Sequence, residues 1–382
     1  MRILILAPRY PFPVHGGDVL RIYNICQVLK NQGHQLDLIS FYEPNDIIDK
    51  SLNNIFTKIY LIKRNKYLSI FNSLLYILSP FPSQIGYYYQ KNFLKKFTEI
   101  SDNYDMTICH LIRMARYIDK GKCHKKSILE MTDAISLNYK RSLKYLNFIQ
   151  KAFFFIEMNK LKKYEKKCLD RFKKTIVVSD TDKDFLEEKI KYKSLKTLTN
   201  GYKSLSMNLF SKSNKSVIFI GNMRTNANHL MVTFFIKEVL PELRRVYPAL
   251  KFKVIGAEPR KELIQLQSKI DFEITGKVES IHDEMRDAAL SVCPMFFGAG
   301  VQNKILESMA FGIPVVATDI GIEGLLKNAR DSIVIGNNKK EIVDGIIGLM
   351  EDSDKREMLS KKSYKFILEN YSWNKILSSY LD

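Results

Sequence analysis

Lys304 and Glu307 lie three residues apart in the stretch GAGVQNKILESMAFGIPVVATDIG, residues 298–321. Gly298 and Gly300 precede them, and Gly312 and Pro314 end the helical pattern that carries both. Glycines let a backbone approach a ligand closely, and a helix starting just after them offers free N–H groups and the positive end of its dipole. Gly300, Val301 and Gln302 are thus expected to hold a diphosphate, with Lys304 adding a full charge one turn in. Glu307 falls on the same helical face. A carboxylate repels phosphate, but it accepts hydrogen bonds from vicinal hydroxyls such as a ribose diol. Loop, cation and acceptor in that order fit a nucleoside diphosphate. The plainer alternative is a surface Lys–Glu pair worth about 0.2–0.5 kcal/mol; the apolar SMAFGIPVVAT that follows argues against so solvated a place.

A second glycine pair, Gly16 and Gly17, follows the apolar run RILILAP and precedes a helix expected to begin near Asp18. The same physics applies, although an ordinary strand-to-helix turn is the other reading. The spacing is not G-x-G-x-x-G, so a nicotinamide dinucleotide is not implied.

The elements that must hold these loops alternate. RILILAP, QLDLISF, DMTICHL, KSILEM, KTIVVS and LKTLTNG read as strands, separated by helical patterns that include a Lys-rich block over 137–172. After a polar stretch the pattern restarts with SVIFIGN, KFKVIGA, FEITG, LSVCPMF and PVVAT. Such alternation predicts an α/β chain of two Rossmann-like, doubly wound domains facing a cleft. The expected boundaries are 1–205, 206–365, and a C-terminal helix over 366–382 that crosses back to the first domain, with Trp373 at the junction.

At 382 residues the chain is long enough for two domains. Five scattered cysteines, Cys26, Cys109, Cys123, Cys168 and Cys293, show no paired spacing, so free thiols and a cytoplasmic setting are expected. No apolar run approaches the roughly 20 residues of a membrane-spanning helix. The net charge of +19 is lopsided: residues 1–200 hold 35 Lys and Arg against 19 Asp and Glu, residues 201–382 hold 25 against 22. Either the first half carries a generic solvated basic surface, or it meets something anionic.

GAGVQNKILESMAFGIPVVATDIGIEGL resembles the donor-binding motif of family-4 (group 1) retaining glycosyltransferases, GT-B enzymes of the bacterial surface-polysaccharide type. HGGDVLRIYNICQVLKNQGHQLDLIS, YEKKCLDRFKKTIVVSDTDKDFL, TNGY and FIGNMRTNANHLMVTFFIKEVLP are similar to further segments of that family, in the same order. The resemblance implies that Glu307 contacts the nucleotide ribose and that Lys304 lies near the diphosphate. The family's usual first acid of an E-x7-E pair falls at Ala299, a departure. Arg224 is the cation offered after the first strand of the second domain. Val278, in TGKV, corresponds to a loop lining the base pocket, and Asn228 stands either at the ligand or as a helix N-cap.

In the first domain the resemblance gives His110 a place beside the donor sugar or the acceptor. Arg113, Arg116 and Asp133 are candidates for binding the acceptor; either arginine alternatively only decorates a helix. The implied partners are a nucleotide-sugar donor and a glycan or polyprenyl-diphosphate-linked acceptor, at the inner face of the cytoplasmic membrane. Residues 58–96, rich in Tyr and Lys, either lie on anionic lipid as a peripheral membrane contact or form an ordinary buried helix pair. No metal or other cofactor is expected; SDTD and EDSD read as helix caps, not metal motifs. Two rival functions remain open: a nucleotide-sugar 2-epimerase of the same fold, and a basic nucleic-acid-binding protein, for which no recognised motif is present.

Overall fold

The computed structural model describes residues 1–12, 16–44, 50–121, 124–202, 207 and 216–382. Cys123 and the expected 205/206 boundary lie outside them. The chain divides into two compact units, Met1–Thr199 with Leu377–Asp382, and Asn200–Ile376.

The first unit holds seven parallel strands: β1 (Arg2–Ala7), β2 (Gln35–Tyr42), β3 (Phe56–Lys63), β4 (Met106–His110), β5 (Ser127–Thr132), β6 (Lys174–Val177) and β7 (Leu195–Thr197). They are ordered β3-β2-β1-β4-β5-β6-β7. The runs RILILA and MTICH are buried almost end to end, as expected of strands covered on both faces. β3 is absent from the sequence reading. It is an edge strand, FTKIYLIK, and only Lys63, Arg64 and Asn65 separate its apolar run IYLI from the helix that begins at Lys66, with no glycine or proline to mark its end. The Lys-rich block is two helices, Ile135–Ser142 and Phe148–Arg171, the second opened by an Asn147–Gln150 capping box.

In the first unit the short C-terminal segment is tied down by buried polar groups. Arg21 Nε donates to Glu130 Oε1 at 2.8 Å, and both side chains are fully buried. Tyr380 donates its hydroxyl to Glu130 Oε2 at 2.9 Å, while Lys174 Nζ donates to the carbonyls of Ser379 and Tyr380.

The second unit holds β8 (Ser216–Ile220), β9 (Lys251–Ile255), β10 (Glu273–Ile274), β11 (Ala288–Cys293), β12 (Val315–Ala317) and β13 (Val334–Ile335), all parallel, in the order β10-β9-β8-β11-β12-β13. Its core packs Val217, Phe219, Leu290 and Val292 of the sheet against Ile305, Leu306 and Met309 of the helix Asn303–Ala310. Helix Ser353–Asn370 belongs wholly to this unit, so only Leu377–Asp382 returns to the first. Trp373 packs on Gly201 within the second unit, where a Cβ added to Gly201 would stand 2.5 Å from the ring.

Candidate functional site

Both sheets reverse their strand order between the first and fourth strands of the unit, at β1/β4 and at β8/β11. In open parallel sheets ligands bind beyond the carboxyl ends of the strands at such a point. The glycine loops singled out in the sequence stand at these two places.

In the second unit, Gly298 and Gly300 follow β11 with φ of 139° and 75°, backbone that side-chain-bearing residues rarely adopt. Gln302 precedes the helix Asn303–Ala310 with no side-chain cap. Among the described residues no hydrogen bond is made by the N–H groups of Gly300, Val301 or Gln302. Lys304 reaches across the switch point: its Nζ donates to Asn228 Oδ1 at 2.9 Å and to Gln302 Oε1 at 3.1 Å. It also lies 5.4 Å from the centre of the Phe219 ring on β8. Burial pulls the ammonium below the ordinary lysine value. A half-buried cation whose hydrogen-bond partners among the described residues are two neutral amide oxygens is poised to gain from an arriving anion.

Asn228 is not a helix N-cap. The helix Asn226–Phe234 begins after Thr225, and Asn228 lies inside its first turn, where its Nδ2 donates to the Asn222 carbonyl. The side chain therefore orients Lys304 from the β8 side.

Glu307, one turn further along, interacts with the hydroxyl of Tyr202 and lies 3.7 Å from His282 Nε2. Burial pushes its carboxyl up to about 7 and His282 down. The sequence pattern singles out neither Tyr202 nor His282; TNGY reads there only as the segment before a linker. The structure lays that segment along the helix, with Asn200 Nδ2 donating to Asn303 Oδ1 at 2.8 Å. Arg224 is exposed and makes a loose 3.6 Å pair with Glu258. Arg260, also missed, braces the same turn by donating to the Arg224 carbonyl and Asn226 Oδ1. The Val278 side chain packs beside Ile281 against the core around Ile218 and Phe311.

Gly324 backs the loop, and a Cβ added there would stand 2.2 Å from the Gly300 carbonyl oxygen. Gly324→Ala must push the loop backbone, at an expected cost of about 1–3 kcal/mol. Calorimetric melting of the second unit checks this; an unchanged melting temperature refutes it.

In the first unit Gly16, with φ of 96°, precedes the helix Gly17–Asn31, and Asp18 in its first turn pairs with Arg9. His110 ends β4, fully buried, and neither ring nitrogen has a hydrogen-bond partner among the described residues. Burial holds it down to about 4 despite the nearby Asp18 carboxylate. Asp133 follows β5 and is pushed up to about 7 by burial and by Asp182. Arg113, whose Nε donates to Gln84, adds its charge to the field around His110, Asp18 and Asp133. Leu111 and Thr132, the residues after His110 and before Asp133, have φ of 66° and 71°. Strain of this kind at non-glycine positions clusters at functional sites. Arg116 is held among the rings of Phe81, Tyr89 and Tyr76, at 4.0, 5.2 and 5.4 Å. Ser179 caps the helix Asp180–Leu186 and Asp352 caps Ser353–Asn370, so SDTD and EDSD act as caps.

Two Rossmann-like units, each with a glycine loop at its switch point, define the GT-B architecture. Residues 214–352 match the family described as Glycosyl transferases group 1. A Klebsiella pneumoniae chain described as an uncharacterized 44.6 kDa protein in the cps region is 25% identical over 99% of this chain and 98% of its own length. Among solved structures, TarM superposes with a TM-score of 0.74 at 14% identity, covering 100% of this chain and 98% of its own. Anabaena Alr3699/HepE in complex with UDP gives 0.68 at 14%, covering 100% and 98%. The group 1 match and the fold support a glycosyltransferase; neither the epimerase nor the nucleic-acid-binding alternative is favoured.

Proposed function

We propose that the chain transfers a sugar from a nucleotide-sugar donor to a glycan or polyprenyl-diphosphate-linked acceptor, with retention of anomeric configuration, in surface-polysaccharide synthesis. The observation that carries this reading is the row of N–H groups of residues 300–302, without hydrogen bonds among the described residues, at the β8/β11 switch point, with Lys304 held beside it by Asn228. The cps-region relative and the UDP complex of HepE support the pathway and the donor class.

In this reading the diphosphate sits on the helix tip and Lys304, and Glu307 takes the ribose hydroxyls. As the glycosidic bond breaks, the diphosphate gains negative charge, which the tip, Lys304 and the exposed Arg224 stabilise. The acceptor hydroxyl attacks from the leaving-group face, and a diphosphate oxygen takes its proton, so no protein base and no metal is assigned. His110, neutral and without a hydrogen-bond partner among the described residues, orients sugar or acceptor, while Arg113 and Asp133 face the acceptor.

Thermal-shift screening against UDP and other nucleoside diphosphates, followed by product analysis with UDP-sugars, tests the reading. A chain that binds no nucleoside diphosphate, or a product of inverted configuration, rejects it.

The Glu307 carboxyl titrates near 7 in the folded chain, above its ordinary value of 4.5. The raised value means the group favours folding most below pH 4.5, and that contribution is lost as pH rises through 7. Diol binding by the ionised form runs the other way. Nucleotide affinity is therefore expected to rise several-fold from about pH 6 to pH 8. Calorimetric titration of wild type and Glu307→Gln with a UDP-sugar, whose diphosphate is esterified at both ends and does not ionise in this range, checks this, since the amide variant should show a flatter profile.

A further inference from the structure

The helix Lys66–Ile77 in the first unit is inverted. Tyr67, Ile70, Phe71, Leu74 and Leu78 recur at helical spacing and all face outward, with Tyr67 and Leu78 87% and 93% exposed. Its inner side is polar. Ser69 is fully buried and accepts from Gln90 Nε2 at 3.1 Å, and Asn72 Nδ2 donates to the Tyr89 carbonyl at 2.8 Å. A helix built to pack on a protein core would present the opposite faces.

A second apolar stripe continues the first. At the start of helix Phe148–Arg171, Phe148 and Ile149 are 87% and 81% exposed, and Phe153 and Ile156 are exposed as well. Ile149, Phe153 and Ile156 share a face with Lys160, whose Nζ donates to the carbonyls of Tyr76 and Ile77 at the end of the first helix. The two stripes therefore meet at Lys160. Contiguous exposed apolar surface of this kind marks an interaction face.

The charges choose the occupant. Residues 63–98 contain six Lys and Arg and no Asp or Glu; residues 134–156 contain four and none. Lys63, Lys144 and Lys151 are exposed beside the stripes. Glu43 pairs with Arg64 and Lys66, Glu99 with Lys96 and Glu157 with Lys160, so part of this charge is neutralised within the unit. The basic residues still outnumber these acids, and apolar side chains on a surface helix with a net positive surround match the headgroup region of an anionic bilayer. Among the described residues no helix is long and apolar enough to cross a membrane, so a face of this kind would lie along a bilayer and not span it.

We propose that the paired stripes of Lys66–Ile77 and residues 148–156 form one membrane-seating face that inserts its apolar side chains into an anionic lipid surface. The inference does not rest on the glycosyltransferase reading. The test is flotation of the full chain with vesicles of phosphatidylcholine alone or mixed with phosphatidylglycerol, at low and high salt. The wild type is expected to float with the anionic vesicles and to release as salt rises. The double variant Leu74→Glu, Ile149→Glu, altered only at exposed positions, is expected to partition at least about tenfold more weakly at an unchanged melting temperature. Equal flotation of wild type and variant would overturn the proposal. So would a wild type that binds no vesicle, or a concentration-dependent dimer in solution that the variant abolishes. A nucleoside-diphosphate thermal shift, read on the same preparations, fails or succeeds separately.

Discussion

Lys304→Ala should lower turnover by about two to three orders of magnitude while the chain stays folded. The size follows from what one preorganised charge donor contributes to a developing anion, about 3–4 kcal/mol. Two observations give Lys304 that role. Its Nζ is fixed by Asn228 Oδ1 and Gln302 Oε1, so it is oriented before any ligand arrives. Burial lowers its pKa, so the charge is stored in an environment that disfavours it and that an incoming diphosphate would relieve. For the same reason its removal should cost little stability, because water can serve the two amide oxygens at a half-buried place. The loss should fall mainly on kcat, since the leaving diphosphate carries more charge in the transition state than in the bound donor. Steady-state kinetics with the best donor, beside a melting curve, checks both halves. Near-normal transfer by Lys304→Ala would remove the assignment, and Lys304→Met separates lost charge from lost packing.

Glu130→Ala should destabilise the first unit by about 3–5 kcal/mol, the ordinary result of leaving one partner of a buried ion pair without the other. Arg21 and Glu130 are both fully buried, and the carboxylate serves Arg21 with one oxygen and the Tyr380 hydroxyl with the other. Its loss strands the guanidinium charge and frees one of the ties on Leu377–Asp382; the Lys174 bonds to Ser379 and Tyr380 remain. Tyr380→Phe, which removes a single hydrogen bond, should cost only about 1–2 kcal/mol. Urea unfolding of the three chains, with nucleoside-diphosphate binding as a probe of the second unit, would show the ranking. A Glu130→Ala chain as stable as wild type would mean the network carries no net weight.

The glycine loop, Lys304 and Glu307 of the candidate site in the second unit are legible in the sequence because they are close together in it, whereas Tyr202, His282 and Arg260 are not. Gly298, Gly300, Lys304 and Glu307 lie within ten residues, and the helical period alone puts the last two on one face. The strands buried on both sides are equally plain, since β1 and β8 carry unbroken apolar runs and β4 and β11 are interrupted inside only by the small, buried Thr107 and Ser291. The edge strand β3 is not, because its run IYLI leads into the helix at Lys66 across three polar residues with no glycine or proline between, so the period change is unmarked. Asn228 shows a subtler failure. Its residue type suits an N-cap, and local chemistry cannot tell that Thr225 occupies that place and that Lys304, 76 positions away, needs the amide.

By itself the sequence determined periodicity: most of the strands and helices, though not β3 or β13, that two parallel sheets form, and which loop carries an anion-binding pattern. Only the tertiary structure decided direction and partnership. The spacing of Tyr67, Ile70, Phe71 and Leu74 specifies an apolar stripe but not whether it faces core or solvent, and here Ser69 and Asn72 take the inner side because Gln90 and the Tyr89 carbonyl are there to meet them. Likewise Arg21, Glu130 and Tyr380 are separated by 109 and 250 positions, and nothing local to any of them signals the others. Spacing is a property of a few neighbouring residues, whereas burial and charge pairing depend on what the rest of the chain brings alongside.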